Sequence, residues 1–171
     1  KNVFENDNIV YQSILRFEFN ENGTFSTIIY TNEAVKIIKQ HSHLEKNKGT
    51  KQPLFMFLAY QATHTPLEVP PSWNVKPVPD DTKTNARSHM NALVEILDSG
   101  VKNVTDALKE IGMWENTLLI FQADNGGWVT DPSLGGNNYP LRGGKVSDYE
   151  GGVRNFAFIN GGYMPDNLKS T

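Results

Sequence analysis

The 171 residues hold 19 acidic and 16 basic side chains for a net charge of −3, and 38% of positions are hydrophobic. That balance describes a globular chain long enough for one domain with a core, and without a dense Lys/Arg run it argues against broad nucleic-acid or anionic-membrane binding. No stretch approaches the ~18 apolar residues of a membrane-spanning helix or carries a signal-peptide pattern, and zero cysteines exclude disulfides, thiolate metal sites and a cysteine nucleophile within these residues.

The chain begins at Lys1 rather than Met, as a processed form or a fragment would. Residues 1–8 are polar. Tyr11, Ser13, Leu15, Phe17 and Phe19 share one parity, which predicts a half-exposed strand ending at Asn20-Glu21-Asn22-Gly23. Residues 25–30 read as extended or irregular. Thr31 or Asn32 then suits a helix N-cap, and Ala34, Val35, Ile37, Ile38 and His41 follow at helical spacing to about Leu44. His41 and His43 are two apart, point different ways on a helix and read as surface residues.

Pro53 introduces Leu54-Phe55-Met56-Phe57-Leu58-Ala59-Tyr60, an unbroken apolar run that predicts a strand buried on both faces. It leads directly to His64. Prolines 66, 70, 71, 77 and 79 make residues 65–82 an irregular surface connection. From about Asn85, Met90, Leu93, Val94, Leu97, Val101, Val104, Leu108 and Ile111 form a helical stripe. Gly112 follows at the position that favours a left-handed residue. His89, near the start of this helix, reads as structural.

Thr117-Leu118-Leu119-Ile120-Phe121-Gln122-Ala123 predicts another strand buried on both faces, ending in Asp124-Asn125-Gly126-Gly127. The order strand, helix, strand is a βαβ unit and predicts parallel strands, so His64 and Asp124 should leave the same sheet edge. That edge is where ligands bind in open α/β sheets. The Asn-Gly pair alone also fits a tight hairpin, but no second strand begins after Gly127. Instead a long loop, residues 128–150, carries Gly135, Gly136, Gly143, Gly144 and Lys145, and loops of that length commonly serve function. Phe156-Ala157-Phe158-Ile159 predicts a further buried strand, and residues 160–171 a polar tail.

Asp124 and Asn125 offer two hard oxygen donors suited to a cation such as Ca²⁺. His64 is an acid–base candidate, although a lone histidine is more often an ordinary loop residue. Lys145 lies in a segment that must return to the active edge, where an ammonium could bind an anion or protonate a leaving oxygen.

These motifs together resemble a type I sulfatase. The matching residues are Pro53 to Leu58 leading to His64-Thr65-Pro66-Leu67, then Asp124-Asn125-Gly126-Gly127, then Gly136-Asn137-Asn138-Tyr139-Pro140-Leu141-Arg142-Gly143, and Lys145 with Glu150-Gly151-Gly152-Val153-Arg154. The third of these is typical of the arylsulfatase B group, including arylsulfatases I and J. The resemblance covers residues from about 24 to 164. It implies a partial alkaline-phosphatase-like α/β fold of mostly parallel buried strands with flanking helices. It also implies a fragment, residues 1–171, of a single catalytic domain. The implied activity is sulfate ester hydrolysis with one Ca²⁺ and a formylglycine made from a cysteine outside this chain. On this likeness Asp124 and Asn125 resemble metal ligands, and His64 and Lys145 resemble catalytic and substrate-binding residues. The expected substrate is a sulfated small molecule or sulfated glycan, with no nucleic acid and no membrane span.

The Cys-x-Pro-Ser-Arg motif, the upstream aspartate pair and the C-terminal domain of the family are not in these residues, so the fragment alone should not turn over substrate. The rival readings are a phosphatase or phosphodiesterase of the same superfamily, or a sulfatase-like binding protein without catalysis. The sequons Asn22-Gly23-Thr24 and Asn103-Val104-Thr105 favour a glycoprotein of the secretory route, lysosomal or secreted.

Overall fold

The structure is a computed structural model that describes residues 25–48, 53–79 and 85–168. Two long helices, α1 (Ser26–Lys48) and α2 (Ala86–Glu110), pack against each other. Two short strands, β1 (Leu119–Gln122) and β2 (Ala157–Asn160), enclose between them the long loop and a single helical turn, α3 (Glu150–Val153). The strand expected over residues 11–19 lies outside the described residues.

The core forms where Ala34 and Ile38 of α1 meet Val104, Ala107 and Leu108 of α2. Helix α1 begins at Ser26, so residues 26–30 are helical rather than irregular and Thr31 is not its cap. The hidden stripe opens with Thr27 and Thr31 before reaching Ala34, Ile38 and His41, each 3% exposed or less. A count of apolar residues misses two small polar ones that bury inside a helix. Thr31 Oγ1 donates to Thr27 O at 2.7 Å and so accepts from the Tyr60 hydroxyl at 2.9 Å. His41, expected at the surface, is 2% exposed because it continues the Ala34–Ile38 stripe, while His43 is exposed.

Helix α2 buries Leu93, Val104 and Leu108 of the expected stripe together with Ala92, Ile96 and Ala107, whereas Val94 of that stripe is 50% exposed. It closes as predicted at Gly112, φ 77°, where Met113 N donates to Leu108 O at 2.9 Å and Gly112 N to Lys109 O at 3.1 Å. These two bonds satisfy carbonyls that a helix end leaves open. Before α2, the proline-rich connection is irregular through residue 79 and is held to the helix by Lys76–Glu95 at 2.9 Å and by Val78 N donating to Ser88 Oγ at 3.1 Å.

The strands differ from expectation in two ways. Residues 53–60 form no ladder among the described residues, and they alternate rather than bury both faces. Leu54, Met56 and Leu58 pack on the helical core, whereas Phe55 and Phe57 are 70% and 85% exposed. The expected parallel relation to β1 is likewise not seen there. Instead β1 pairs antiparallel with β2, Leu119 opposite Asn160 and Gln122 opposite Ala157.

Both strands are more open than predicted. Leu118, just before β1, and Ile120 on it are exposed, as is every residue of β2. An apolar run reports what a segment can bury, not what lies beside it. The other face carries Phe121 stacked on Phe158 at 5.1 Å, with Phe156 edge-on to both. Residues 161–164 are not a loose tail: Gly162 N bonds Trp114 O at 3.0 Å and Tyr163 N bonds Thr117 O at 3.2 Å.

Candidate active site

Strand β1 delivers Asp124 and Asn125 at its C-terminal end. Ala123 N still bonds Phe156 O at 2.9 Å, and the chain then bends at Asp124 and Asn125. The bend is no tight hairpin, because the partner strand begins only at Ala157. Gly126 N donates to Gly152 O at 3.0 Å, so the turn sits on α3, two of whose residues are glycines.

The long loop folds back onto this turn. Lys145 N donates to Gly127 O at 3.0 Å. Asn138 brackets the same residue, with Oδ1 accepting from Gly127 N and Nδ2 donating to Gly127 O, both at 2.8 Å. Farther along, the Arg142 guanidinium lies 4.0 Å from the centroid of the Tyr149 ring, and Gly151 N bonds Arg142 O at 2.8 Å. Asp131 accepts from Ser133 N and Oγ at 2.9 and 2.6 Å, which holds its carboxyl below the usual range.

His64 arrives from a segment distant in sequence. Its turn follows Tyr60 and is closed by His64 N donating to Gln61 O at 3.0 Å. The ring Nδ1 lies 2.7 Å from Thr65 O, and a carbonyl only accepts, so Nδ1 carries the hydrogen. That leaves Nε2 with a free lone pair. Lys145 Nζ lies 3.3 Å from it, although the two residues are 81 apart in sequence. The ammonium donates one N–H to the ring and keeps two for other acceptors. His64 is exposed and Lys145 half-buried, so the pair is open to a ligand.

Two of the four sequence-predicted residues are therefore in direct contact, and the other two occupy the turn to which the Lys145 backbone is bonded. Among the described residues neither Asp124 nor Asn125 has its side chain in a hydrogen bond or ion pair. Adjacent, uncommitted carboxylate and carboxamide oxygens fit a hard cation as part of a donor set, since Ca²⁺ takes six to eight oxygens. Asn138 belongs to the Gly136–Gly143 match but is not among the site residues expected from the sequence. The available signal was an asparagine in a glycine-rich loop, where a carboxamide readily replaces backbone partners.

The Sulfatase family matches residues 2–164. The chain belongs to the sulfatase family. It is 35% identical over 158 residues to arylsulfatase J of Mus musculus, covering 92% of this chain and 23% of that protein. It is 30% identical over 129 residues to N-acetylgalactosamine-6-sulfatase of Canis lupus familiaris, covering 75% of this chain and 22% of that one. Among solved structures, the crystal structure of Ps i-CgsB in complex with k-i-k-neocarrahexaose superposes with a TM-score of 0.66 at 31% identity, over 85% of this chain and 29% of the other. The alkaline-phosphatase-like sulfatase fold expected from the motifs is thus the fold of this sulfatase chain. The chain spans 22–23% of the length of these curated relatives. No helix among its described residues is long and apolar enough to cross a membrane.

Proposed function

We propose that these residues contribute one side of the active site of a sulfuric ester hydrolase of the arylsulfatase kind, within a larger catalytic domain. The observation that supports this reading most is the Lys145–His64 contact at 3.3 Å, with the histidine held in one tautomer by Thr65 O at 2.7 Å. A sulfate monoester is a small anion whose departing oxygen gains charge as its bond to sulfur breaks. It needs a fixed positive group and a nearby proton.

Lys145 supplies both. Two of its N–H groups are left to face sulfate oxygens, and one of these protons moves to the departing alcohol oxygen. His64 holds the ammonium in place through Nε2. Asp124 and Asn125 would hold Ca²⁺, which when bound adds positive charge beside the sulfate. With no cysteine among these residues, a formylglycine nucleophile would come from sequence outside them. The 171 residues alone are then inactive.

The substrate we infer is a sulfated small molecule or sulfated glycan. The glycan half rests on the names of the relatives and on the neocarrahexaose held by Ps i-CgsB. A secretory location, lysosomal or extracellular, is supported by the Asn103 sequon, whose asparagine is exposed on α2.

The test is hydrolysis of 4-nitrophenyl sulfate by the full-length protein. Lys145→Ala and His64→Ala should each lower kcat/KM by roughly 100-fold or more, the scale on which a positioned acid–base group acts. Wild-type turnover in either variant would remove that residue from the site. Turnover of a phosphate ester in preference to the sulfate would move the assignment to the phosphatase branch.

A further inference from the structure

We propose that Asn138 is the positioning residue for Lys145, a role that rests on the sulfatase reading above. Its carboxamide makes three hydrogen bonds, all to backbone. Oδ1 accepts from Gly127 N at 2.8 Å, and Nδ2 donates to Gly127 O at 2.8 Å and to Gly143 O at 3.1 Å. Gly127 O is also the acceptor for Lys145 N at 3.0 Å. One half-buried side chain therefore ties together the turn after Asp124 and Asn125, the bend before Lys145 and the backbone of Lys145 itself.

The fit is specific to asparagine. Gly127 N must find an acceptor, and the carbonyls of Gly127 and Gly143 must find donors, which assigns the carboxamide orientation without ambiguity. A carboxylate there would set an oxygen against two carbonyl oxygens. An alanine would leave Gly127 N and Gly143 O without these partners. Gly144 completes the socket, since a Cβ at that position would lie 2.8 Å from Asn138 Nδ2.

The role is positional rather than architectural. Two other backbone bonds hold the loop independently: Gly151 N to Arg142 O at 2.8 Å and Gly126 N to Gly152 O at 3.0 Å. Losing Asn138 should leave those closed and free the stretch from Gly143 to Lys145. The ammonium then loses its fixed relation to His64 Nε2. A misplacement of about 1 Å at a reacting group costs on the order of 100-fold.

The experiment is a double-mutant cycle in the full-length protein with 4-nitrophenyl sulfate. Asn138→Ala should lower kcat/KM by roughly 10- to 100-fold and speed hydrogen exchange at the amides of Gly127 and Lys145. In a Lys145→Ala background the same change should cost less than about twofold more, because its effect runs through Lys145. An undiminished loss in that background, or an Asn138→Ala enzyme within threefold of wild type, overturns the proposal. If Asn138→Ala does not fold, Asn138→Ser, which removes the carboxamide without placing a charge against the two carbonyls, takes its place in the same cycle. Failure of both to fold assigns Asn138 to the architecture of the loop and also overturns it. Should Lys145→Ala itself be fully active, the sulfatase reading fails instead, whatever Asn138 does.

Discussion

The Tyr60 hydroxyl lies 2.9 Å from Thr31 Oγ1, and this bond anchors the apolar segment to α1 just before the chain turns towards His64. Gly100 of α2 makes the approach possible. A Cβ at position 100 would lie 2.7 Å from Thr31 Oγ1 and 3.1 Å from the Tyr60 oxygen. Alanine is ordinarily the better helix former by about 1 kcal/mol. Here Gly100→Ala should instead destabilise the full-length protein by about 1–3 kcal/mol, the usual cost of overfilling a packed site. Adding Thr31→Ala removes the nearer atom and should recover part of the loss. Thermal unfolding of the single and double variants checks both signs.

Tyr60 also predicts an alkaline effect. Burial pushes its phenol above the ordinary value of 10.0. The folded state thus holds the proton to higher pH than the unfolded chain. The associated stability is fully present below about pH 10 and is lost as pH rises through the folded value. Denaturant titrations between pH 8 and the alkaline limit should show a steeper fall for wild type than for Tyr60→Phe. Parallel curves would show that Tyr60 does not carry the effect.

Asp124 should matter to metal before it matters to fold. Its side chain is exposed and takes no hydrogen bond or ion pair among the described residues. In the full-length protein Asp124→Ala should weaken Ca²⁺ binding, measured by calorimetry, and abolish hydrolysis of an aryl sulfate. Its far-ultraviolet circular dichroism should match wild type. Unchanged Ca²⁺ affinity would take Asp124 out of the donor set.

The isolated 171 residues should associate through open apolar surface. Phe55 and Phe57 project from a segment without ladder partners among the described residues, and Ile120 and Ile159 are 60% and 55% exposed on one face of the β1–β2 pair. Unpaired apolar strands of this kind favour intermolecular pairing. Static light scattering of the refolded fragment should report oligomers and bound hydrophobic dye. A monomer with one cooperative melting transition would contradict this.

Features settled within one turn or one motif were legible in the sequence. Helix α2 and its Gly112 terminus follow from spacings of three and four and from one left-handed residue. Asp124 and Asn125 at a strand end, and His64 and Lys145 as candidates, stood out by residue type and neighbours. Helix α1 was half legible, because its buried stripe includes Thr27 and Thr31, polar residues that an apolar pattern does not mark as hidden. Everything that depended on two distant segments was decided by the tertiary structure. The burial of His41, the antiparallel pairing of β1 with a strand beginning at Ala157, and the exposure of Phe55 and Phe57 all turn on what lies beside a segment. The same holds for the site: residue type marks Lys145 and His64 as able to act, but only the folded loop, clamped by Asn138 on Gly127, brings their nitrogens to 3.3 Å. Hydrogen bonds and charge contacts act over a few ångströms, and sequence separation carries no information about distance once the chain has turned back on itself.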